Sequence, residues 1–289
     1  MKITISGSSG YLGKSLVSAL SKENFEINCL LRNKNKKYFW DPQNNFLPQN
    51  LIDESQIIIN LNGERIINPF KRKKFSKIKS SRISSTKTLI NSIKNSKTPP
   101  KLIISASACG IYGDRPNEII DERSPKGRGI IADLVEEWES IQQLEKTRVV
   151  FLRFGTIIDK NADIYTYMKK YSSIVGINKI GSGKNYFPWI SKIDAIRAIL
   201  HIINNEKLKG PINLVSKNQI TLGEVFREIN IELKPVIKLR IPRISVPIIF
   251  GKLGEEILLS DQKIIPTKLN DSGFNWMNTT PSGSISLTP

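Results

Sequence analysis

The run Ile3-Thr4-Ile5-Ser6, followed by glycines at Gly7, Gly10 and Gly13 and then by Leu16, Val17 and Leu20, constrains this chain more than any other feature. The run reads as a buried strand and the apolar spacing after it as a helix, so the glycines form a tight turn between the two. Such a turn lets backbone N–H groups approach a phosphate without interference from a Cβ. The helix N-terminus adds the positive end of its dipole. The implied ligand is a dinucleotide held by its pyrophosphate.

A competing pattern is present and fails. Gly13-Lys14-Ser15 is the tail of a nucleotide-hydrolase phosphate loop, but that loop needs a glycine five residues before Gly13, where Ser8 stands. No apolar strand downstream ends in a magnesium-binding Asp.

At 289 residues the chain is long enough for one large α/β domain with an appendage, and 39% hydrophobic with 24% charged residues is ordinary for a globular protein. The first strand reads from Lys2, with no charged n-region and apolar h-region before it, so no signal peptide is expected. The longest apolar stretch, residues 246–250, is interrupted by Pro247 and soon by Lys252, so no membrane span is expected. Cys29 and Cys109 have no partner motif and fit a reducing compartment, so a cytoplasmic location is expected. Net charge is +18, with basic runs at Arg32-Asn33-Lys34-Asn35-Lys36-Lys37 and Lys71-Arg72-Lys73-Lys74. Nucleic-acid binding is one reading of that charge. Lysine is spread along the whole chain and no recognition motif accompanies it, which favours a solvated surface plus an anionic small-molecule ligand.

Strands and helices alternate through the first half. Residues 26–31 read as the second strand, 57–61 as a buried strand, 75–93 as one long helix, 102–105 as a strand, 130–144 as a helix and 149–152 as a strand. This alternation predicts an α/β fold, a Rossmann-type doubly wound parallel sheet with right-handed crossovers. Further on, 194–203 reads as a helix, 212–215 as extended, and 221–229 as a helix with Thr221 as N-cap. From Pro242 onward, prolines, glycines and short helical runs suggest a small mixed C-terminal lobe over the carboxyl edge of the sheet. Residues 1–235 are expected to form the dinucleotide-binding domain and 236–289 the lobe. The apolar segment 237–250 suits either an interface or the core of that lobe, and oligomeric state is not legible.

In this fold an acidic residue near the end of the second strand binds the adenosine ribose of NAD, whereas a basic residue accommodates the 2′-phosphate of NADP. From Ile27 to Trp40 there is no Asp or Glu, and Arg32 follows the strand with Lys34, Lys36 and Lys37 close behind. A guanidinium pairs with a phosphate bidentately and a carboxylate would repel it. The cofactor expected is NADP(H); the alternative is a basic surface loop.

Further motifs run nearly end to end: Arg32-Asn33, Trp40-Asp41-Pro42, Asn60-Leu61-Asn62-Gly63-Glu64, Ser81-Arg82, Ser105 to Asp114, Glu137-Trp138-Glu139 and Leu152-Arg153-Phe154-Gly155. Near the end stand Gly254-Glu255-Glu256, Pro266-Thr267-Lys268-Leu269 and Gly273-Phe274. As a set they resemble the short-chain dehydrogenase/reductases in their extended, epimerase-like branch. Within it they resemble an atypical subgroup of the NAD-dependent epimerase/dehydratase family with its own C-terminal segment. A cell-division label sometimes attached to that subgroup finds no support in these residues. The resemblance implies that Gly7, Ser9, Gly10, Tyr11 and Leu12 hold the pyrophosphate, with Gly13 completing the turn, and that Arg32 holds the 2′-phosphate. Leu61, Asn62 and Gly63, at the end of the fourth strand, would line the adenosine-ribose side, although Asn62-Gly63 also suits an ordinary turn. Ser105 to Ser107 would lie beside the nicotinamide, Phe154 and Gly155 beyond it, and Phe187 and Trp189 on the substrate side.

The chemistry departs from the branch. Its catalytic members carry a Tyr and, four residues later, a Lys on one helix face, where the ammonium lowers the phenol pKa for proton exchange. Aligned on Trp138-Glu139, those positions hold Ile130 and Leu134, which transfer no proton. Ser107 remains as a hydroxyl donor, by resemblance. Tyr112 is the local candidate for a replacement acid, or else a structural residue under the turn at Gly113. Asp194 either caps the following helix or touches ligand, His201 reads as structural, and no Cys, His and carboxylate cluster suggests a metal. Two functions are open: an NADP(H)-dependent oxidoreductase or epimerase of unknown small-molecule substrate, and an NADP(H)-binding sensor or scaffold without turnover.

Overall fold

The computed structural model describes residues 1–64, 75–171 and 175–286, so the basic run Lys71-Arg72-Lys73-Lys74 lies outside the described residues. Among the described residues six parallel strands form the central sheet: β1 (Lys2–Ser6), β2 (Glu26–Leu30), β3 (Ile57–Asn60), β4 (Leu102–Ala108), β5 (Arg148–Phe154) and β6 (Gly210–Leu214). Their spatial order is β6-β5-β4-β3-β1-β2. Ile3 registers between Ile27 and Ile57, and Ile59 beside Ile104. Helices α1 (Tyr11–Lys22), α2 (Gln49–Asp53), α3 (Phe75–Lys94) and α4 (Ile130–Ser140) connect the first five strands. Next come α5 (Asp163–Tyr171), α6 (Lys192–Asn204), α7 (Leu222–Leu233) and α8 (Val246–Leu259).

Both faces of the sheet are covered, which is why Ile57-Ile58-Ile59 of β3 and Leu102-Ile103-Ile104 of β4 are continuous apolar runs rather than alternating ones. On one face Leu16, Leu20, Ala198, Ile199 and Ile202 pack against Ile3, Ile5, Ile59, Ile104 and Leu152. On the other, Ile52, Leu89, Ile90 and Ile93 meet Leu30, Ile58 and Ile103. The chain crosses from one side of β1 to the other between β2 and β3. In an open α/β sheet ligands bind at the carboxyl edge beside such a switch.

Two sequence expectations need correction. The strand before Leu61 is the third of the chain, not the fourth. Where a further edge strand would lie beside β2, the backbone makes a single parallel bridge, Leu31 to Phe39, and then turns through Asp41 and Phe46. The helix expected over 130–144 stops at Ser140. Thr147, whose hydroxyl donates to the Pro100 carbonyl at 2.8 Å, anchors the chain at the base of β5, so the intervening residues return as a loop. Elsewhere local signals hold: Thr221 and Glu224 form a capping box at the start of α7.

A second core gathers Ile158, Tyr165, Phe187 and Trp189 with Leu222, Val225, Phe226, Val246, Leu258 and Ile285. In the segment 237–250, Val246 is buried, while Ile237, Leu239, Ile244 and Ile248 are exposed. Asp194 resolves differently from both alternatives, because Ser191 caps α6. The Asp194 carboxylate instead accepts the backbone N–H groups of Met277 (2.8 Å) and Asn278 (2.9 Å), tying the C-terminal segment to the domain. His201 meets the Ser272 hydroxyl at 2.8 Å and the Phe274 ring edge-on. No helix among the described residues is long and apolar enough to cross a membrane.

Candidate functional site

The glycine turn closes on itself at the carboxyl end of β1. The Gly10 N–H donates to the Gly7 carbonyl at 3.0 Å. Gly7 has φ +78, and a Cβ there would lie 2.7 Å from the Leu61 carbonyl carbon and oxygen. Gly13, at the first turn of α1, approaches more closely: a Cβ would stand 2.2 Å from the Gly7 oxygen. No side chain fits at either place, and the helix start is thereby pulled directly onto the turn. Ser9 and Gly10 are exposed, and Tyr11 and Leu12 are half-buried at the helix N-terminus. Lys192 lies over the Tyr11 ring at 5.0 Å and pairs with the buried Asp159 at 2.5 Å.

The opposite wall is the end of β3. Leu61 donates its N–H to the Ser6 carbonyl at 3.0 Å, which places Leu61, Asn62 and Gly63 directly beside the turn. A polar ladder anchors this wall: Ser6 Oγ to Asn60 Oδ1 (2.8 Å), Asn60 Nδ2 to Thr86 Oγ1 (3.1 Å) and Trp138 Nε1 to Thr86 Oγ1 (2.8 Å). Arg32 lies just past β2, exposed and, among the described residues, without an ion pair.

The carboxyl ends of β4 and β5 carry a different cluster. The Ser107 hydroxyl donates to Glu139 Oε1 at 2.5 Å. Arg153 donates to the same carboxylate twice, Nε to Oε1 at 3.0 Å and Nη2 to Oε2 at 2.7 Å. Its Nη1 donates to the Tyr112 hydroxyl at 2.9 Å, and that hydroxyl donates to Asn213 Oδ1 at 2.7 Å. Beyond, Glu122 accepts the Asn213 N–H at 3.1 Å. Burial pushes the Tyr112 phenol up, against the pull of the Arg153 charge. The carboxylate beside it holds the Arg153 guanidinium above its ordinary range, against its own burial. Ser107 and Tyr112 thus share one network, but Tyr112 is fully buried with its hydroxyl engaged on both sides. Ser105 is fully buried, and its Oγ has no hydrogen-bond partner among the described residues.

A cleft of about 350 Å³ opens above this edge, lined by Ala108, Cys109, Arg128, Phe154, Gly155 and Phe187 among others. Trp189 does not reach it; it is buried in the second core with Nε1 donating to the Asn218 carbonyl at 3.2 Å. Burial pushes the Cys109 thiol up, which makes it a poor nucleophile. On the far wall Glu256 accepts the N–H groups of Ile130 and Ile131, both at 3.0 Å. Its carboxylate thus satisfies the N-terminus of α4 where the branch carries its catalytic tyrosine.

Glu139, Arg153 and Glu256 are site residues that sequence reasoning quoted within motifs without giving them a role. Their motif membership was the available signal. Asn213 and Glu122 carried none, since each meets its partner only across the sheet edge.

No family model matches the chain. In sequence it is 28% identical over 289 aligned residues to the chloroplastic epimerase family protein SDR39U1 homolog of Arabidopsis thaliana, covering 96% of this chain and 83% of that protein. It is 28% identical to epimerase family protein YfhF of Bacillus subtilis, covering 96% and 94%. In structure it matches human epimerase family protein SDR39U1 (isoform 2), crystallised with NADPH, at a TM-score of 0.86 and 23% identity over 98% of this chain and 97% of the other. It also matches a nucleoside-diphosphate sugar epimerase from Corynebacterium glutamicum at a TM-score of 0.78 and 25% identity, covering 98% of this chain and 57% of that one. The glycine turn, the parallel sheet and these end-to-end similarities agree with the motifs that run from Gly7 to Phe274. End to end, then, the chain is similar to epimerase family proteins, and its fold is that of the extended, epimerase-like short-chain dehydrogenase/reductases.

Proposed function

We propose that the protein binds NADP(H) and acts as an epimerase-like oxidoreductase on a small carbonyl or sugar-like substrate. The close backbone packing of the turn at Gly7, Gly13 and Leu61, which any Cβ would break, carries this reading. It suits a pyrophosphate approached by backbone N–H groups. Arg32, exposed past β2 in a stretch without carboxylates, suits a 2′-phosphate. The NADPH held by the human structural relative supports the same cofactor.

NADP(H), when bound, supplies the hydride donor or acceptor. Ser107 takes the proton of a substrate hydroxyl at Oγ while its own proton passes to Glu139 Oε1, and both return in the reverse direction. Arg153 fixes the carboxylate in line with Ser107 through its two hydrogen bonds. Tyr112 is left to position Arg153. The second reading, cofactor binding without turnover, is favoured by the apolar Ile130 and Leu134 where the branch carries its Tyr and Lys.

Titration of the purified protein with NADPH and NADH, read by nicotinamide fluorescence, tests the binding. Arg32→Glu is expected to weaken NADPH by about a hundredfold, the scale of exchanging a charge-assisted pair for a like-charge contact, and to leave NADH nearly unchanged. Failure of the wild type to bind either nucleotide ends the proposal. Turnover is tested with 9,10-phenanthrenequinone as carbonyl probe, following NADPH oxidation. Ser107→Ala is expected to slow it on the order of a hundredfold, the usual scale for losing a proton-transfer group. NADPH binding without any oxidation by the wild type leaves the second reading standing.

A further inference from the structure

The cleft above the carboxyl edge has one cation among its described lining residues, Arg128, and no role has been given to it so far. Its backbone is held in a fixed place. The Gly127 N–H donates to the Ile111 carbonyl at 2.9 Å, and a Cβ on Gly127 would run into the Tyr112 carbonyl. In the turn after β4, a Cβ on Gly113 would lie 2.5 Å from the Arg128 carbonyl oxygen and 2.8 Å from its nitrogen. Backbone packs on backbone here, so neither segment shifts without the other. The Arg128 side chain, by contrast, is exposed. Among the described residues it has no hydrogen bond and no ion pair.

The two carboxylates of the cleft are already committed to backbone groups. Glu256 spends its oxygens on the N–H groups of Ile130 and Ile131, where the positive end of α4 offsets its charge. Asp114 accepts the Asp261 N–H at 2.7 Å. The side-chain amide of Gln262 donates to the Gly113 carbonyl, also at 2.7 Å. The body of the cleft is apolar, built from Ala108, Ile131, Phe154, Phe187, Pro188 and Ile257. Ala108 and Phe154 pair across β4 and β5 one residue beyond Ser107 and Arg153, so the reacting end of the cleft lies beside them. Arg128 stands with Glu256 on the far wall, where a Cβ on Gly129 would lie 2.9 Å from Glu256 Oε2. At about 350 Å³ the cleft is at the small end of ligand pockets, which run from roughly 300 to 1,000 Å³.

We propose that Arg128 is a substrate-binding residue that selects a small carbonyl compound with an apolar body and a carboxylate at the end away from the carbonyl. The inference rests on the oxidoreductase reading above and names its substrate class. A guanidinium takes a carboxylate bidentately, which fixes the far end of the substrate. Reduction moves a hydride from NADPH to the carbonyl carbon and a proton from Ser107 Oγ to the carbonyl oxygen, leaving an alcohol and NADP⁺.

The probes are 2-, 3- and 4-carboxybenzaldehyde, which vary the spacing of carbonyl and charge, each compared with its methyl ester. NADPH oxidation is followed in wild type, Arg128→Gln and Arg128→Lys. The wild type is expected to favour at least one acid over its ester by about tenfold or more in kcat/KM. Arg128→Gln is expected to reduce that ratio by about 10- to 100-fold, through KM, the range for losing a charge-assisted hydrogen bond. Arg128→Lys falls between, because it keeps the charge and loses the fork. Reading acid and ester on one variant cancels any loss of folded protein. No preference for any acid in the wild type overturns the inference, and so does a preference that survives Arg128→Gln. Reduction of 9,10-phenanthrenequinone with none of any carboxybenzaldehyde also overturns it. A wild type that reduces no probe, the quinone included, fails the turnover reading, and one that binds no nucleotide fails the cofactor reading. In either case calorimetric titration of the same acids and esters decides the inference. Binding of an acid over its ester that is lost in Arg128→Gln supports it, and equal or absent binding overturns it.

Discussion

Arg153→Met is expected to lower the unfolding free energy by about 3–5 kcal/mol, the range for removing one partner of a buried ion pair. The Arg153 and Glu139 side chains are only 9% and 12% exposed, so the carboxylate left behind has little water to replace its partner. The same substitution strips the Tyr112 hydroxyl of the donor at 2.9 Å that holds it from the β5 side. Three elements lose their shared anchor at once: β5 through Arg153, α4 through Glu139, and the turn after β4 through Tyr112. Urea unfolding of the single and double variants measures this. Arg153→Met with Glu139→Leu is expected to recover part of the loss, because the stranded charge goes with its partner. A cost for Arg153→Met below about 1 kcal/mol, the scale of an exposed pair, would mean that the network is not what joins these elements.

Gly13→Ala is expected to damage binding and stability together. The added Cβ would stand 2.2 Å from the Gly7 carbonyl oxygen and 2.9 Å from Ser8 Cα, both backbone atoms that no rotamer change can move. Relief requires α1 to lift from the turn or the turn to open, and either breaks the Gly10 to Gly7 hydrogen bond. Overpacking of this kind costs about 1–3 kcal/mol. Displacing the phosphate-binding N–H groups by roughly 1 Å is expected to raise the Kd for NADPH on the order of a hundredfold. Ser9→Ala, at an exposed position in the same turn, serves as the control and is expected to keep wild-type stability. Unchanged NADPH affinity in Gly13→Ala would show that the turn is not the pyrophosphate site.

How much of this was legible in the sequence depended on the range of the interaction. The strand, turn and helix from Ile3 to Leu20, and the Thr221 to Glu224 capping box, were readable because both partners of each contact lie within a few residues. The miscounted third strand and the overlong α4 failed for the opposite reason. Whether residues near Phe39 pair with β2, and where α4 must end for β5 to begin, is decided by neighbours in space. Tyr112 drew attention as a candidate acid from its place near the sheet edge. Its burial and its bond to Asn213, 101 residues away, could not be read from that place.

The sequence by itself determined that this chain folds as a parallel α/β sheet with a glycine turn at its first strand, a basic residue past its second, and no Tyr and Lys pair on its fourth helix. Those are properties of composition, period and spacing, which act along the backbone. Only the tertiary structure decided that Ser107 meets Glu139, that Arg153 bridges Glu139 to Tyr112, and that Glu256 satisfies the start of α4. Each of these joins side chains from separate crossovers. Their meeting depends on how the helices pack over the sheet and on the need of every buried polar group for a partner, which no local pattern encodes.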